Sequence, residues 1–209
     1  MSLLLPHAPT RTAVRRATPA DVPALARVLA DAFYDDPAGR WFFPQARTRR
    51  RRLERFFRLV ALERMALPHD EVHTTEDLAG AALWMPPGSL ESSTLAELLL
   101  LPRIVRSCGP DTARTLRNIA AMDAVHPHEP HWYLPQIGVA TGRQGQGIGS
   151  ALLRPVLDRC DAEGMPAYLE ATTTRSRDLY ARHGFEVVEV MTLPDGGPPL
   201  WRMWRDPRS

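Results

Sequence analysis

Val139-Ala140-Thr141-Gly142-Arg143-Gln144-Gly145-Gln146-Gly147-Ile148-Gly149-Ser150-Ala151-Leu152-Leu153 joins a strand-like run to a helix-like one through a glycine-rich loop. The first amides of a helix have no carbonyl partner inside the helix, and the helix dipole adds positive potential there. An anion at that end answers both. Glycines at 145, 147 and 149 remove side chains that would hold a phosphate off the backbone, and Gln144 can add a side-chain amide. The stretch predicts a pyrophosphate cradle at the start of a helix.

A glycine triplet alone also suits a dinucleotide fold. That fingerprint needs a first strand-helix turn and an acid about 20 residues later, at the end of a second parallel strand. Glu170 lies at that spacing, but the loop falls two-thirds along the chain, and the residues before it do not alternate strand with helix. The nucleotide P-loop needs a Lys-Ser or Lys-Thr pair. This chain has no lysine, all 26 of its basic side chains being arginine, which also excludes Schiff-base chemistry.

Working outward, Trp132 to Val139 is a strand leading into the loop, and a helix from about Gly147 to Glu163 leaves it, stopping at Gly164. Ala167 to Ala171 is a strand and Arg175 to His183 a helix stopped by Gly184. Phe185 to Val190 and Leu200 to Trp204 are strands joined by the turn Pro194-Asp195-Gly196-Gly197. Upstream, Ala13 to Arg16 is a first strand. Thr18-Pro19-Ala20-Asp21 opens a helix whose apolar face is Leu25, Val28, Leu29, Ala32 and Phe33, ending near Asp35-Asp36-Pro37. Trp41-Phe42-Phe43-Pro44 is an aromatic loop expected to pack inward. Arg47 to Ala66 is a docked helix with Leu53, Phe56, Phe57 and Val60 on one face and Arg51, Arg55 and Arg58 on a solvated one, with Glu54 placed to pair Arg50 and Arg58. The alternative for those arginines is a stripe for RNA or DNA. Val72 to Thr74 and Ala81 to Met85 are strands. Leu95 to Arg106 and Asp111 to Asp123 are helices, and His126 to Pro130 is a stiff linker.

A chain of 209 residues, 44% hydrophobic and 24% charged, is expected to form one domain over residues 1–209, with 1–12 a flexible tail. Cys108 and Cys160 lack metal or disulfide spacing and read as buried thiols. Leu95 to Val105 is too short to span a bilayer and carries Glu97, Pro102 and Arg103, while Pro6 cuts short Leu3-Leu4-Leu5. A cytoplasmic protein without membrane contact is expected. The net charge of +2 is too small to argue for nucleic acid.

The run from Val139 to Leu153 resembles the acetyl-CoA motif of the GNAT family of N-acetyltransferases, with Gln144, Gly147 and Gly149 at the pattern's fixed positions. Leu179-Tyr180-Ala181-Arg182-His183-Gly184-Phe185 resembles that family's second signature, in the expected order. Glu129 to Leu134, Gly164 to Glu170 and Pro155 look similar to the puromycin N-acetyltransferase branch, as does Val14 to Phe33. The resemblance implies an α/β fold (α+β mixed) with a central, mixed, mostly antiparallel twisted sheet. Six to seven strands are expected, splayed between the fourth and fifth and flanked by helices. One departure concerns the helix of Tyr180, where the family often has an early Asn and this chain has Ser176 or Thr174.

The resemblance assigns acetyl-CoA as cosubstrate and no metal. It places the donor on Ile137, Gly138 and Val139 of the strand, on Gln144, Gly145, Gln146, Gly147, Ile148, Gly149 and Ser150 of the loop, and on Ser176. Arg143, Arg175 and Arg177 are candidates for a 3′-phosphate or simply solvated. Tyr180 is assigned the group facing the thioester sulfur, against a packed core tyrosine. Glu170 is either the general base or an acid that orients the substrate ammonium. His131, His128 and Glu129 are weaker bases, and the His126, His128 and His131 spacing makes a poor metal site. Phe33, Trp41, Phe42 and His131 are expected at the acceptor. The expected acceptor is a small-molecule primary amine, such as an aminonucleoside-like antibiotic, attacking directly in a ternary complex; a homodimer is compatible. A protein or aminoacyl-RNA amine, and a non-catalytic acyl-CoA-binding module, are the competing readings.

Overall fold

The computed structural model describes residues 12–89 and 94–208; the tail expected at 1–12 falls almost wholly outside them. Seven strands form one sheet in the order β1-β2-β3-β4-β5-β7-β6. They are β1 (Val14–Arg16), β2 (Glu71–Thr75), β3 (Gly80–Met85), β4 (Trp132–Val139), β5 (Ala167–Ala171), β6 (Glu186–Thr192) and β7 (Pro199–Arg205). Every neighbouring pair is antiparallel except β4 with β5.

The parallel pair holds together at one end only. Trp132 pairs with Ala167 and Tyr133 with Tyr168, and no further pairing follows. On its other side β4 stays registered with β3 as far as Gly80 opposite Val139. The reason lies just past Tyr133. Between the pairs Leu83 with Gln136 and Met85 with Tyr133, Leu134 and Pro135 of β4 oppose Trp84 alone, which is a bulge. A bulge bends its strand, and proline, lacking an N–H, is tolerated there. The sheet therefore splits between β4 and β5, as expected.

Helices cover both faces. They are α1 (Val22–Phe33), α2 (Pro37–Phe42), α3 (Ala46–Ala66), α4 (Thr94–Cys108), α5 (Thr112–Asp123), α6 (Ile148–Glu163) and α7 (Thr174–Arg182). Alternation along β3 divides the core. Ala82 and Trp84 pack with Ile148, Leu152 and Val156 of α6. Ala81 and Leu83 pack with Leu25 and Leu29 of α1 and Leu53 and Phe57 of α3. A Cβ at Gly138 would stand 2.9 Å from Leu29 Cδ2 and 3.0 Å from Ala32 Cβ, so glycine there lets α1 settle on β4.

Two sequence expectations change. Trp41-Phe42-Phe43-Pro44 is not all loop, because Asp36 accepts from the Ala38 and Gly39 amides, and Pro37 begins a helix that reaches Phe42. Phe43 does pack inward, buried to 1% exposure. The α3 arginines also divide more finely than expected. Arg51, Arg55 and Arg58 are exposed, but Arg50 pairs with Asp31 of α1 rather than with Glu54. Arg49 is buried, donating to the carbonyls of Phe43, Tyr34 and Pro44. Both cysteines are buried, and burial pushes the Cys160 thiol up to about 12, so neither is a ready nucleophile. No described helix is long and apolar enough to cross a membrane.

Candidate active site

The helices α6 and α7 each follow one of the two parallel strands, so both N-termini open at the C-terminal side of the split. Crevices of this kind, outside the carboxyl ends of parallel strands, are where open α/β sheets take ligands. The glycine loop fills the link from β4 to α6. Gly145 and Gly147 both have φ of +80°, and a Cβ on Gly147 would meet nothing within 4 Å. These two glycines give the loop its turn and leave room over it. Gly149 differs, because a Cβ there would stand 3.0 Å from Leu179 Cδ2, so its lack of a side chain seats α7 against α6. The amides of Ile148 to Ser150, at the first turn of a 16-residue helix, are the anion-receptive group.

The polar side chains of the loop are mostly tied down by protein. Gln144 donates to the Val139 carbonyl and accepts from Arg175 at 2.9 Å. Gln146 accepts from Arg143, which also pairs with Asp77. Ser150 Oγ lies 2.9 Å from His183 Nε2. Ser176 bonds reciprocally with Thr173, so the cap of α7 belongs to Thr173 with Ser176 as its partner. Of the three candidate phosphate arginines, Arg143 and Arg175 lie at the loop, on Gln146 and Gln144 respectively. Arg177 turns away to Asp178 and the Trp201 ring.

Glu170, at the end of β5, accepts from the Tyr133 hydroxyl at 2.9 Å through Oε2. Its Oε1 is buried with no hydrogen-bond partner among the described residues. Burial pushes the Glu170 carboxyl up to about 7, against the pull of the Tyr133 and Tyr168 hydroxyls and the Arg202 charge; Asp123 adds to the rise. A carboxyl titrating there is half ionised near neutrality, where a general base works best. Tyr180 on α7 is buried and edge-on to Phe185, and no hydrogen bond to its hydroxyl forms among the described residues. Burial and then the Asp36 charge raise its phenol far above the usual value. It therefore stays a neutral donor.

A cavity of about 710 Å³ opens on this side of the molecule, with Glu170, Tyr133 and Gln136 from the two split strands in its wall. Phe33 and Phe42 line it. Trp41 and His131 do not. Trp41 packs beneath Arg114, with its ring 4.9 Å from the guanidinium, and belongs to the small core of Ala38, Leu193 and Leu200. His131 is buried among Tyr168, Trp204 and His126, its Nε2 2.9 Å from His126 Nε2. Burial lowers both rings, His126 to about 4, so the pair is neutral and structural.

Several site residues escaped the sequence reading. Asp36 caps α2 with one oxygen and accepts from the Thr172 hydroxyl with the other, joining α2 to the end of β5. The Asp36-Pro37 pair was a legible cap signal; its contact with Thr172, 136 residues away, was not. Tyr133 and Tyr168 were placed on strands, but only the β4 to β5 register brings them together.

Comparison with known proteins agrees with this architecture. Residues 113–185, spanning the glycine loop and Tyr180 to Phe185, match the Acetyltransferase (GNAT) family model. A solved structure from Corynebacterium glutamicum, described as histone acetyltransferase HPA2 and related acetyltransferase, is 32% identical with a TM-score of 0.71. That match covers 94% of this chain and 96% of the other. The chain belongs to the GNAT family of acetyltransferases, and it is an N-acetyltransferase of that kind. An uncharacterised N-acetyltransferase of Schizosaccharomyces pombe is 28% identical over 213 residues, covering 94% of this chain and 84% of the relative. Naa20 from Chaetomium thermophilum, solved with a bisubstrate analogue, is 17% identical at a TM-score of 0.55, covering 93% and 86% of the two chains; it shares the fold.

Proposed function

We propose that this protein transfers the acetyl group of acetyl-CoA to the primary amine of a small molecule, by direct attack in a ternary complex. The observation that carries the reading is the split between β4 and β5, with the α6 amides on one strand's side and the Glu170 carboxyl at the end of the other.

The residues fit the donor. Gly145 and Gly147 leave open backbone over the loop, and Arg175 adds a cation beside it. Past Tyr133, β4 has no β5 partner, so its edge through Ile137 to Val139 is open to a pantetheine arm, apart from the Val139 carbonyl that Gln144 holds. The strand amide at Val139 stabilises the oxyanion as the tetrahedral centre forms. Glu170 takes a proton from the incoming ammonium. The neutral nitrogen then attacks the thioester carbonyl carbon, the C–N bond forms, the C–S bond breaks, and the proton that the nitrogen sheds in becoming an amide passes to the departing thiolate. The Tyr180 hydroxyl donates a hydrogen bond to the sulfur as charge develops there. A phenol near 10 is already a weaker acid than a thiol near 8.5, and Tyr180 is raised further, so donation rather than full transfer is its role.

Within the family, the runs Glu129 to Leu134 and Gly164 to Glu170 support a place near the puromycin N-acetyltransferase branch. A protein amine is the second reading, favoured by the description of the Corynebacterium neighbour as a histone acetyltransferase. The test is release of free CoA thiol with a panel of amines, puromycin included, and a lysine-bearing peptide. Glu170→Gln is expected to lower kcat/KM by a hundredfold or more near pH 7. Tyr180→Phe is expected to lower kcat more than it raises the acetyl-CoA KM. Unchanged turnover in both variants would overturn the assignments.

A further inference from the structure

The cavity beside Glu170 has a chemistry that narrows the acceptor. Its wall draws on five helices, and the side chains they present there include Phe33, Phe42, Phe56, Val60, Ile104 and Ile119. A volume of about 710 Å³ is that of a pocket for a molecule of two or three rings. Against this apolar wall stand two orphaned acceptors, Glu170 Oε1 and Gln136 Oε1, each buried without a hydrogen-bond partner among the described residues. A buried acceptor left unmet costs stability, so its presence calls for an explanation. Gln136 Oε1 accepts only, and Glu170 Oε1 accepts in the ionised form that acts as base, which selects a ligand that brings N–H groups. Two charged groups of the wall are already paired, Glu63 with Arg103 and Arg64 with Asp70, and Glu170 stands at the split.

Resting on the acetyltransferase reading above, we infer that the acceptor is a primary amine on a bulky apolar, ring-bearing body, with Gln136 Oε1 and Glu170 Oε1 receiving its N–H groups. Polyamines, amino sugars and lysine side chains on a peptide are excluded as preferred acceptors. A second cation on the substrate would find Glu63 already paired with Arg103 and the rest of the wall mostly apolar.

Gln136 gives a test that a merely structural role would not pass. If its oxygen serves only the fold, replacing it by a similarly shaped apolar side chain removes an unmet group and changes nothing in catalysis. If it holds the amine, Gln136→Leu leaves the thermal midpoint unchanged or higher while raising the amine KM about tenfold, with the acetyl-CoA KM unmoved. The second measurement is a series of primary amines from butylamine through phenethylamine to a two-ring amine, run beside putrescine, spermidine and a lysine peptide. Transfer is followed by thiol release and binding by calorimetry. Affinity and kcat/KM are expected to rise about tenfold or more for each added ring. Transfer to polyamines or peptide as efficient as to the two-ring amine overturns the inference and leaves the activity standing. Ring-graded binding without transfer to any amine overturns the activity and leaves the inference. A Gln136→Leu variant with an unchanged amine KM removes Gln136 from the binding role and overturns the inference in that part.

Discussion

Glu170 is the proposed base, and four neighbours set its proton affinity. Tyr133 from β4 donates to it; Tyr168 on its own strand and Arg202 from β7 also favour the charged form; Asp123 from α5 opposes it. With burial pushing the carboxyl up to about 7, its base form prevails above that pH and is lost as pH falls below. Activity is expected to drop on the acid side near pH 7 rather than near the usual carboxylate range. Tyr133→Phe deletes the donor that stabilises the carboxylate, so the carboxyl rises further. The acid limb of kcat/KM is expected to move up by about one to two pH units, that being the worth of one hydrogen bond to a charged group. Activity then recovers at alkaline pH. A pH profile measures this directly, and an unshifted limb with uniformly lower activity would mean that Tyr133 only supports the fold.

At the scale of elements, the loop before α6 and the packing of α6 on α7 use glycine for two different reasons, and substitution separates them. Gly147→Ala places a side chain on a residue with φ of +80°, costing about 1–2 kcal/mol of backbone strain, yet its Cβ points into open space. A modest fall in thermal midpoint with a large rise in the acetyl-CoA KM is the expected result. Gly149→Val drives its side chain against Leu179, one residue before Tyr180. Here kcat is expected to fall with stability while the acetyl-CoA KM changes less, because α7 and its tyrosine are displaced. Thermal melts beside Michaelis kinetics on the two variants distinguish the effects; identical patterns would refute the division of labour. The strands and helices themselves were legible from pattern and punctuation, since the run Ala81 to Met85 closed by Pro86-Pro87-Gly88 and the stops at Gly164 and Gly184 are local signals. The helix Pro37–Phe42 was missed because a short aromatic segment lacks a period to count.

Across the whole molecule, Glu71 ties distant parts of the chain. Its carboxylate, 2% exposed, meets Arg16 of β1, His73 of its own strand and Arg159 of α6. Burial alone would raise this carboxyl, but His73 and Arg159 outweigh it and hold it down to about 2. A folded value below the unfolded one means the contribution is complete above the usual carboxylate range and is lost as pH falls toward 2. Glu71→Gln is expected to cost about 2–4 kcal/mol at pH 7, near the lower part of the range for a broken buried ion pair because the arginines reach solvent. The wild-type advantage should shrink below pH 4. Urea unfolding at several pH values checks this, and a pH-independent difference would show that packing, not charge, is responsible.

What the sequence determined by itself was whatever short-range rules can write: the glycine loop ahead of a helix, the strands on either side, the caps, and the ordered pair of signatures that resembled the GNAT family. Those features depend on residues within about one helical turn of one another. The cavity proposed for the acceptor is different in kind. Phe33, Phe42, Gln136 and Glu170 reach one space only because the sheet fixes its order and β4 bends away from β5 at Pro135. The same long-range packing drew Trp41 and His131 into the core instead, though their residue types suited a site equally well. It also set Tyr133 against Glu170 across 37 residues of chain and left one carboxylate oxygen unmet. Side-chain type and local spacing announced the anion-receptive loop; register and burial, which no local pattern encodes, decided which groups face the cavity.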